Sequence, residues 1–239
     1  MIWPETATGS YLRKQVEQVV AVYQWVGRTG VPIFSGFADY DYGPADALHY
    51  YNAAGLLGDP AVADLVYAKR HLVPFGERMP FQRLLPGLGK LELGQAEWTP
   101  GSKPELFPRP VADRSPAWCA SRRIFPDLAR EDVRRGARWI VNITNDEWFG
   151  NSSALYQHAA MAVFRAVENH VPLARCANTG LTLLADSYGR VERKAAGVHA
   201  GWCWSRRCRS RRGPRSTPGS ATGRACSPRS SWRCSSSSA

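Results

Sequence analysis

The chain lacks several features that would assign it quickly. Nowhere in its 239 residues is there a run of 18 apolar side chains, so no stretch is expected to cross a bilayer as a helix. Met1 is followed at once by Ile-Trp-Pro-Glu, without a basic n-region or an apolar h-region, and no signal peptide is expected. Only Cys119 and Cys176 occur before residue 200, too few for a disulfide framework and without metal-ligand spacing. The other four cysteines lack Cys-x-x-Cys or His partners, so neither zinc nor any other cofactor is expected. Acid is missing altogether from residues 201–239, which hold nine Arg and eleven Ser. The formal charge of +11 is therefore concentrated in that stretch, and the body before it is nearly neutral, with 22 basic against 20 acidic residues. A large positive charge would suggest a nucleic-acid partner. Its confinement to an appendix removes that suggestion for the body, and no specific nucleic acid is expected.

What is present reads as one α/β domain. Residues 1–5 resemble a strand end, because Ile2-Trp3 is apolar and Pro4 cannot continue a ladder. Ser10 is a plausible N-cap for a helix in which Leu12, Val16, Val19, Val20, Tyr23 and Val26 recur up to Gly27. Val31 to Phe37 reads as a strand. Ala47 to Leu57 and Ala61 to Tyr67, around Gly58-Asp59-Pro60, read as a hairpin. Residues 75–115, rich in Gly and Pro, read as loop. A short helix from Asp127 to Gly136 is entered through Pro126. Trp139 to Asn145 is a buried strand, Ser153 to Asn169 a second long helix, and Leu173 to Asn178 and Leu181 to Asp186 are closing strands. Helices alternating with apolar strands imply helices packed outside sheets.

Three local features carry possible chemistry. Glu5 follows an apolar segment at a strand end, where a partly desolvated carboxylate can act as a general base. From this stretch alone, an exposed loop glutamate is the simpler reading. Lys69 ends a strand within Tyr67-Ala-Lys-Arg-His-Leu-Val-Pro-Phe-Gly-Glu77, and Leu72 to Phe75 behind it would hold its ammonium rigidly beside a carboxylate. The commoner meaning of Lys69-Arg-His71 is a surface basic cluster, with His71 structural. Asn142-Ile-Thr-Asn-Asp-Glu-Trp-Phe-Gly-Asn151 runs from a strand into a polar turn, either a self-satisfied Asx turn or a substrate loop. For covalent chemistry Cys119, ahead of a helix start, is a better nucleophile than Cys176 inside an apolar strand. An unreactive loop thiol at Cys119 is an equal reading.

Taken in order and spacing, several segments resemble the nitrilase, or carbon–nitrogen hydrolase, superfamily and, within it, the apolipoprotein N-acyltransferases. They are Ile2-Trp-Pro-Glu-Thr-Ala7, Tyr50-Tyr-Asn-Ala-Ala54, Lys69-Arg-His-Leu-Val-Pro-Phe-Gly-Glu77, Ile124-Phe-Pro-Asp-Leu-Ala129 and Asn142 to Gly150. Gln157-His158, Met161-Ala162, Arg165-Ala166 and Asn178-Thr-Gly180 complete the set, over roughly residues 1–195. The resemblance implies a four-layer α-β-β-α sandwich, here incomplete at the N-terminus, covering residues 1–196, followed by a disordered Arg/Ser-rich tail over 197–239. It also implies a Glu–Lys–Cys triad in which Glu5 is the base, Lys69 stabilises the oxyanion and Glu77 supports it. Cys119 is the candidate nucleophile, and Trp148 and Phe149 are candidate substrate-binding or supporting residues. The implied reaction moves an acyl chain from a phospholipid, through a Cys thioester, to the α-amine of a diacylglyceryl-cysteine apolipoprotein. The implied setting is the inner membrane, with the catalytic domain periplasmic and the membrane reached through segments missing here.

Three departures limit what this chain is expected to do. The family's membrane region and the sandwich's first strand and helix are absent. The family's Cys-(Tyr/Phe)-Glu begins four residues before the Ile-Phe-Pro segment, whereas Cys119 is one position too early and has no partner Glu. Resemblance ends near Gly197. One permitted coding of the residues after Trp118, read a third of a codon out, restores Val-Cys-Phe-Glu-Ala. Residues of about 111–123 and 197–239 are therefore expected to be out-of-frame translation, and the chain to have little or no transferase activity. Two alternatives stand beside this reading. One is a soluble nitrilase-type amidase; the other is an inactive scaffold with a basic nucleic-acid-binding tail.

Overall fold

Helix α1 (Val16–Thr29) begins well after Ser10, which is not its cap: the Ser10 hydroxyl instead donates to Gln18 Oε1 at 2.6 Å. A 3-10 turn over Leu12–Lys14 lies between them because Leu12 is drawn into the core. The helix runs through Gly27 and ends at Gly30, in the left-handed region typical of a helix C-terminus. Val22 and Val26 are its buried stripe, while Val16 and Val20 face solvent at 75% and 46% exposure. The apolar residues mark more than one helix face, and packing against the sheet selects one of them.

The computed structural model describes residues 1–43, 46–58, 65–73, 77, 98–102, 106–107, 118–120 and 125–194, with the backbone path alone for 118–120, 193 and 194. The expected domain boundary at 196, the tail 197–239 and most of the segment 111–123 lie outside these residues.

The first sheet is antiparallel, in the order β1 (Ile33–Tyr42), β2 (Leu48–Leu57), β3 (Val66–Ala68). β1 is longer than its apolar part predicts. Asp39-Tyr-Asp-Tyr42 keeps the two-residue alternation and continues the ladder with β2 to Tyr42↔Leu48. The expected pairing of the two segments around Gly58 is present as Ala53↔Ala68 to Gly55↔Val66, and β1 occupies the other edge of β2. The second sheet runs β4 (Leu106–Phe107), β5 (Trp118–Ala120), β6 (Trp139–Thr144), β7 (Leu173–Ala177), β8 (Leu183–Ala185), β9 (Val191–Lys194). β5, β6 and β7 are parallel and the outer strands antiparallel. β4 falls in the stretch expected to be loop. Its Phe107 is buried edge-on to Phe34, with centroids 5.3 Å apart, which explains why two residues suffice to hold an edge there. Helices α2 (Pro126–Arg134) and α3 (Ala154–Asn169) lie close to their expected bounds.

Three apolar layers separate four layers of secondary structure. Ile33, Phe37 and Ala53 meet Leu12, Val22 and Val26 on the α1 side. Phe34, Ala54, Leu56 and Tyr67 meet Phe107, Val141, Ile143 and Cys176 between the sheets. Ile140, Leu173, Leu183 and Ala185 meet Ala129, Ala159, Ala162 and Ala166 of α2 and α3. This is the α-β-β-α sandwich, and strand alternation assigns each residue to its layer. Cys176 packs as a small apolar residue, with its thiol 3.6 Å from the Ile2 carbonyl. Gly36 lets the layers approach closely beside Glu5. A Cβ there would lie 2.8 Å from Ile143 Cδ1 and 2.9 Å from the Cα of Glu5.

Candidate active site

Residues 1–4 run beside β1. The Trp3 amide donates to the Phe34 carbonyl at 2.7 Å, and the Phe34 amide to the Met1 carbonyl at 2.9 Å. Pro4 has no N–H to give, but its carbonyl extends the pairing by accepting from the Gly36 amide at 3.3 Å. The chain then turns sharply, with Thr6 at φ +47°, a costly conformation for a β-branched residue and one that recurs at functional sites. Between the strand and the strained turn sits Glu5, 7% exposed. The simple reading of Glu5 as an exposed loop residue is thus overturned. Its Oε1 accepts from the Asn52 side-chain amide at 3.1 Å, and its Oε2 from the Asn145 backbone amide at 2.9 Å.

Lys69 leaves β3 with its amide donating to the Asn52 carbonyl at 2.8 Å and its own carbonyl accepting from Gly101 at 2.9 Å. Its ammonium is buried and lies 2.5 Å from Glu77 Oε2. Burial pushes the Lys69 pKa below the usual lysine value, and the charge and hydrogen bond of Glu77 pull the other way. Glu77 Oε2 also accepts from the Val73 amide at 2.9 Å. The Glu77 carboxylate holds the ammonium; of the expected apolar backing, Val73 is 54% exposed, and Pro74 and Phe75 lie outside the described residues. The neighbours of Lys69 do not form a surface cluster with it. Arg70 pairs with Glu131 of α2 at 3.0 Å, and the exposed His71 stacks obliquely on Phe125 at 5.2 Å.

Asn52 joins the two carboxylates, since the same side-chain nitrogen also lies 3.3 Å from Glu77 Oε1. The sequence reading quoted Asn52 within Tyr50 to Ala54 and gave it no role. The available signal was an amide inside an apolar run on a strand, where a buried polar group must find partners. Glu5, Asn52, Glu77 and Lys69 thus form one buried chain of hydrogen bonds containing a carboxylate able to take a proton and a fixed cation able to stabilise an oxyanion.

The turn after β6 contributes Asn145 and then the aromatics. Trp148 is 67% exposed, and Phe149 meets the His158 ring edge-on at 5.5 Å. Beneath them Asp146 and Arg175 are buried together. Burial alone would raise the Asp146 pKa, but the His158 hydrogen bond, the Arg175 charge and the Thr144 hydroxyl hold it below the usual carboxylate value. Cys119 is the middle residue of β5, in register with Leu106 and Ile140. Ile140 packs under the helices. Ala120 is in register with Val141, which packs between the sheets where Glu5 and Asn52 lie.

The carbon–nitrogen hydrolase family matches residues 1–197. The chain belongs to that family. Among curated proteins it is 39% identical over 197 residues to an apolipoprotein N-acyltransferase of Geobacter metallireducens, covering 80% of this chain and 36% of that protein. It is 35% identical over 211 residues to another from Chlorobaculum tepidum, covering 80% and 40%. The chain therefore spans well under half the length of these relatives. Among solved structures, an amidase of the nitrilase superfamily from Nesterenkonia sp. AN1 shares the fold at a TM-score of 0.54 and 19% identity, over 84% of this chain and 74% of that one. A glutamine-dependent NAD+ synthetase from Acinetobacter baumannii matches at a TM-score of 0.57 and 13% identity, over 82% and 36%.

Proposed function

We propose that this domain carries the acyl-transfer chemistry of an apolipoprotein N-acyltransferase and that this chain performs it poorly. The observation that carries the reading is the buried Glu5–Asn52–Glu77–Lys69 chain, together with relatives of that name at 35–39% identity. In the proposed reaction Glu5 takes the proton of a cysteine thiol, and the thiolate attacks the ester carbonyl of a phospholipid. The oxyanion develops against the Lys69 ammonium, which Glu77 holds in place. Collapse breaks the carbon–oxygen bond, the leaving alkoxide takes the proton from Glu5, and a thioester remains. The α-amine of a diacylglyceryl-cysteine peptide then attacks. Glu5 accepts the amine proton, the carbon–sulfur bond breaks, and the thiolate recovers the proton as the amide forms.

Both substrates are lipids, so the domain would work at a membrane surface, by resemblance the periplasmic face of the inner membrane. Among the described residues no helix is long and apolar enough to cross a membrane. Trp148 and Phe149 are exposed aromatics on the turn that also supplies Asn145, and we assign them to contact with the acyl chain or the membrane interface. Cys119 is the candidate nucleophile of this reading. It is one register position from the one that matches the inter-sheet layer, and this offset supports low activity.

The test is to assay lipopeptide formation from phospholipid and a diacylglyceryl-cysteine peptide in mixed micelles. This chain would be compared with a variant carrying Cys119→Val, Ala120→Cys, Ser121→Phe and Arg122→Glu. The reading expects the variant to be at least about a hundredfold faster, in line with what a correctly placed nucleophile and its partners contribute. Equal rates in the two folded proteins would contradict it.

A further inference from the structure

Outside the proposed triad, Arg175 of β7 is 1% exposed and bonded through every nitrogen of its guanidinium. Its Nη2 donates to Asp146 Oδ2 at 2.5 Å, its Nη1 to the side-chain carbonyl of Asn142, and its Nε to the Leu181 carbonyl at 3.1 Å. Asp146 has no exposed side-chain surface. Its Oδ1 accepts from the Thr144 hydroxyl at 2.9 Å and lies 2.8 Å from His158 Nδ1, and its backbone amide donates to the Thr179 carbonyl at 3.3 Å. Residue 146 is therefore pinned by β6, β7, α3 and the turn after β7. Gly180 closes the fit: at φ +109° it would place a Cβ 2.4 Å from Asp146 Oδ2.

A buried ion pair of this kind is a poor way to gain stability, because desolvating both charges offsets most of their attraction. Direction is fixed instead by the guanidinium, whose three nitrogens reach three different acceptors, Asp146, Asn142 and the Leu181 carbonyl. The residue whose direction it fixes is the preceding one. Asn145 Oδ1 accepts from the Thr179 hydroxyl at 3.0 Å and from the Glu147 amide at 3.3 Å, which leaves the Asn145 backbone amide aimed at Glu5 Oε2.

We propose that Arg175 and Asp146 are positioning residues that lock the turn after β6 so that the Asn145 backbone amide holds the Glu5 carboxylate in place. The functional meaning rests on Glu5 being the base of the proposed reaction. The contact itself can be read without catalysis, by amide hydrogen exchange in the whole chain. Glu5→Gln serves as the reference for a weakened acceptor. In Asp146→Asn, in Arg175→Lys and in Gly180→Ala the Asn145 amide should exchange at least about tenfold faster, while the Val141 amide within β6 keeps its protection. Arg175→Lys keeps the charge but loses the planar set of donors that spans Asp146, Asn142 and Leu181, so its failure to protect Asn145 separates direction from charge.

Unchanged Asn145 protection in a folded Asp146→Asn chain would overturn the proposal. If that variant does not fold, Arg175→Lys decides, because it keeps a charge opposite Asp146 and leaves Thr179, which bonds Asn145 directly, untouched. If the chain carrying Cys119→Val, Ala120→Cys, Ser121→Phe and Arg122→Glu shows the expected exchange pattern but transfers acyl chains no faster than its parent, the proposed function fails and this positioning role stands.

Discussion

Asn52 is the residue on which the two carboxylates depend. Its side-chain nitrogen serves Glu5 and Glu77 at once, and its backbone carbonyl accepts from Lys69. Asn52→Leu has a similar volume and leaves two carboxylate oxygens short of a donor. It should destabilise the chain by roughly 2 kcal/mol, read as a lower midpoint in urea denaturation at unchanged slope. A change below about 0.5 kcal/mol would mean that water replaces the amide without cost. The sequence made Glu5, Lys69 and Glu77 legible through their motifs. It left Asn52 and Arg175 unassigned for a physical reason. Each sits in a strand whose neighbours are apolar, and a single sequence does not say which distant groups a buried polar side chain will meet. Asn52 finds Glu5 47 residues away, and Arg175 finds Asp146 29 residues away.

At the scale of elements, β6 and β7 are joined by their parallel ladder, by the Asn142–Arg175 bond within it and by the Asp146–Arg175 pair just past the carboxyl end of β6. Asp146 has a folded-state pKa below that of the unfolded chain. Its contribution is therefore fully present above about pH 4 and is lost as pH falls through the lower folded value. Stability measured between about pH 5 and pH 2 should fall less steeply in Asp146→Asn than in the parent, and parallel profiles would contradict this assignment. Element types were readable from periodicity where segments were long and clean, as in α3 and β6. They were not readable where packing chose among alternatives. The start of α1 was set by the burial of Leu12, the far half of β1 by its partner β2, and β4 by the single side chain Phe107.

For the whole molecule, the sandwich brings three distant parts of the chain to one place. Glu5 comes from beside β1, Asn52, Lys69 and Glu77 from β2 and the region after β3, and Asn145 from the end of β6 in the opposing sheet. Open α/β sheets gather working groups beyond the carboxyl ends of their parallel strands, and β6 does so here. That helices pack outside sheets followed from helices alternating with apolar strands, and the family, with its four layers, followed from motifs in order. The register of β5, which separates positions 119 and 120 between Ile140 and Val141, required the fold itself.

The measurement closest to the central claim is intact-protein mass spectrometry of the chain carrying Cys119→Val, Ala120→Cys, Ser121→Phe and Arg122→Glu after incubation with an activated acyl ester. The account predicts a single acyl adduct that hydroxylamine removes. Its formation should slow by at least about a hundredfold on adding Glu5→Gln or Lys69→Met. An adduct that forms at the same rate without Glu5 and Lys69 would show that the buried chain they share with Asn52 and Glu77 is not the acyl-transfer centre.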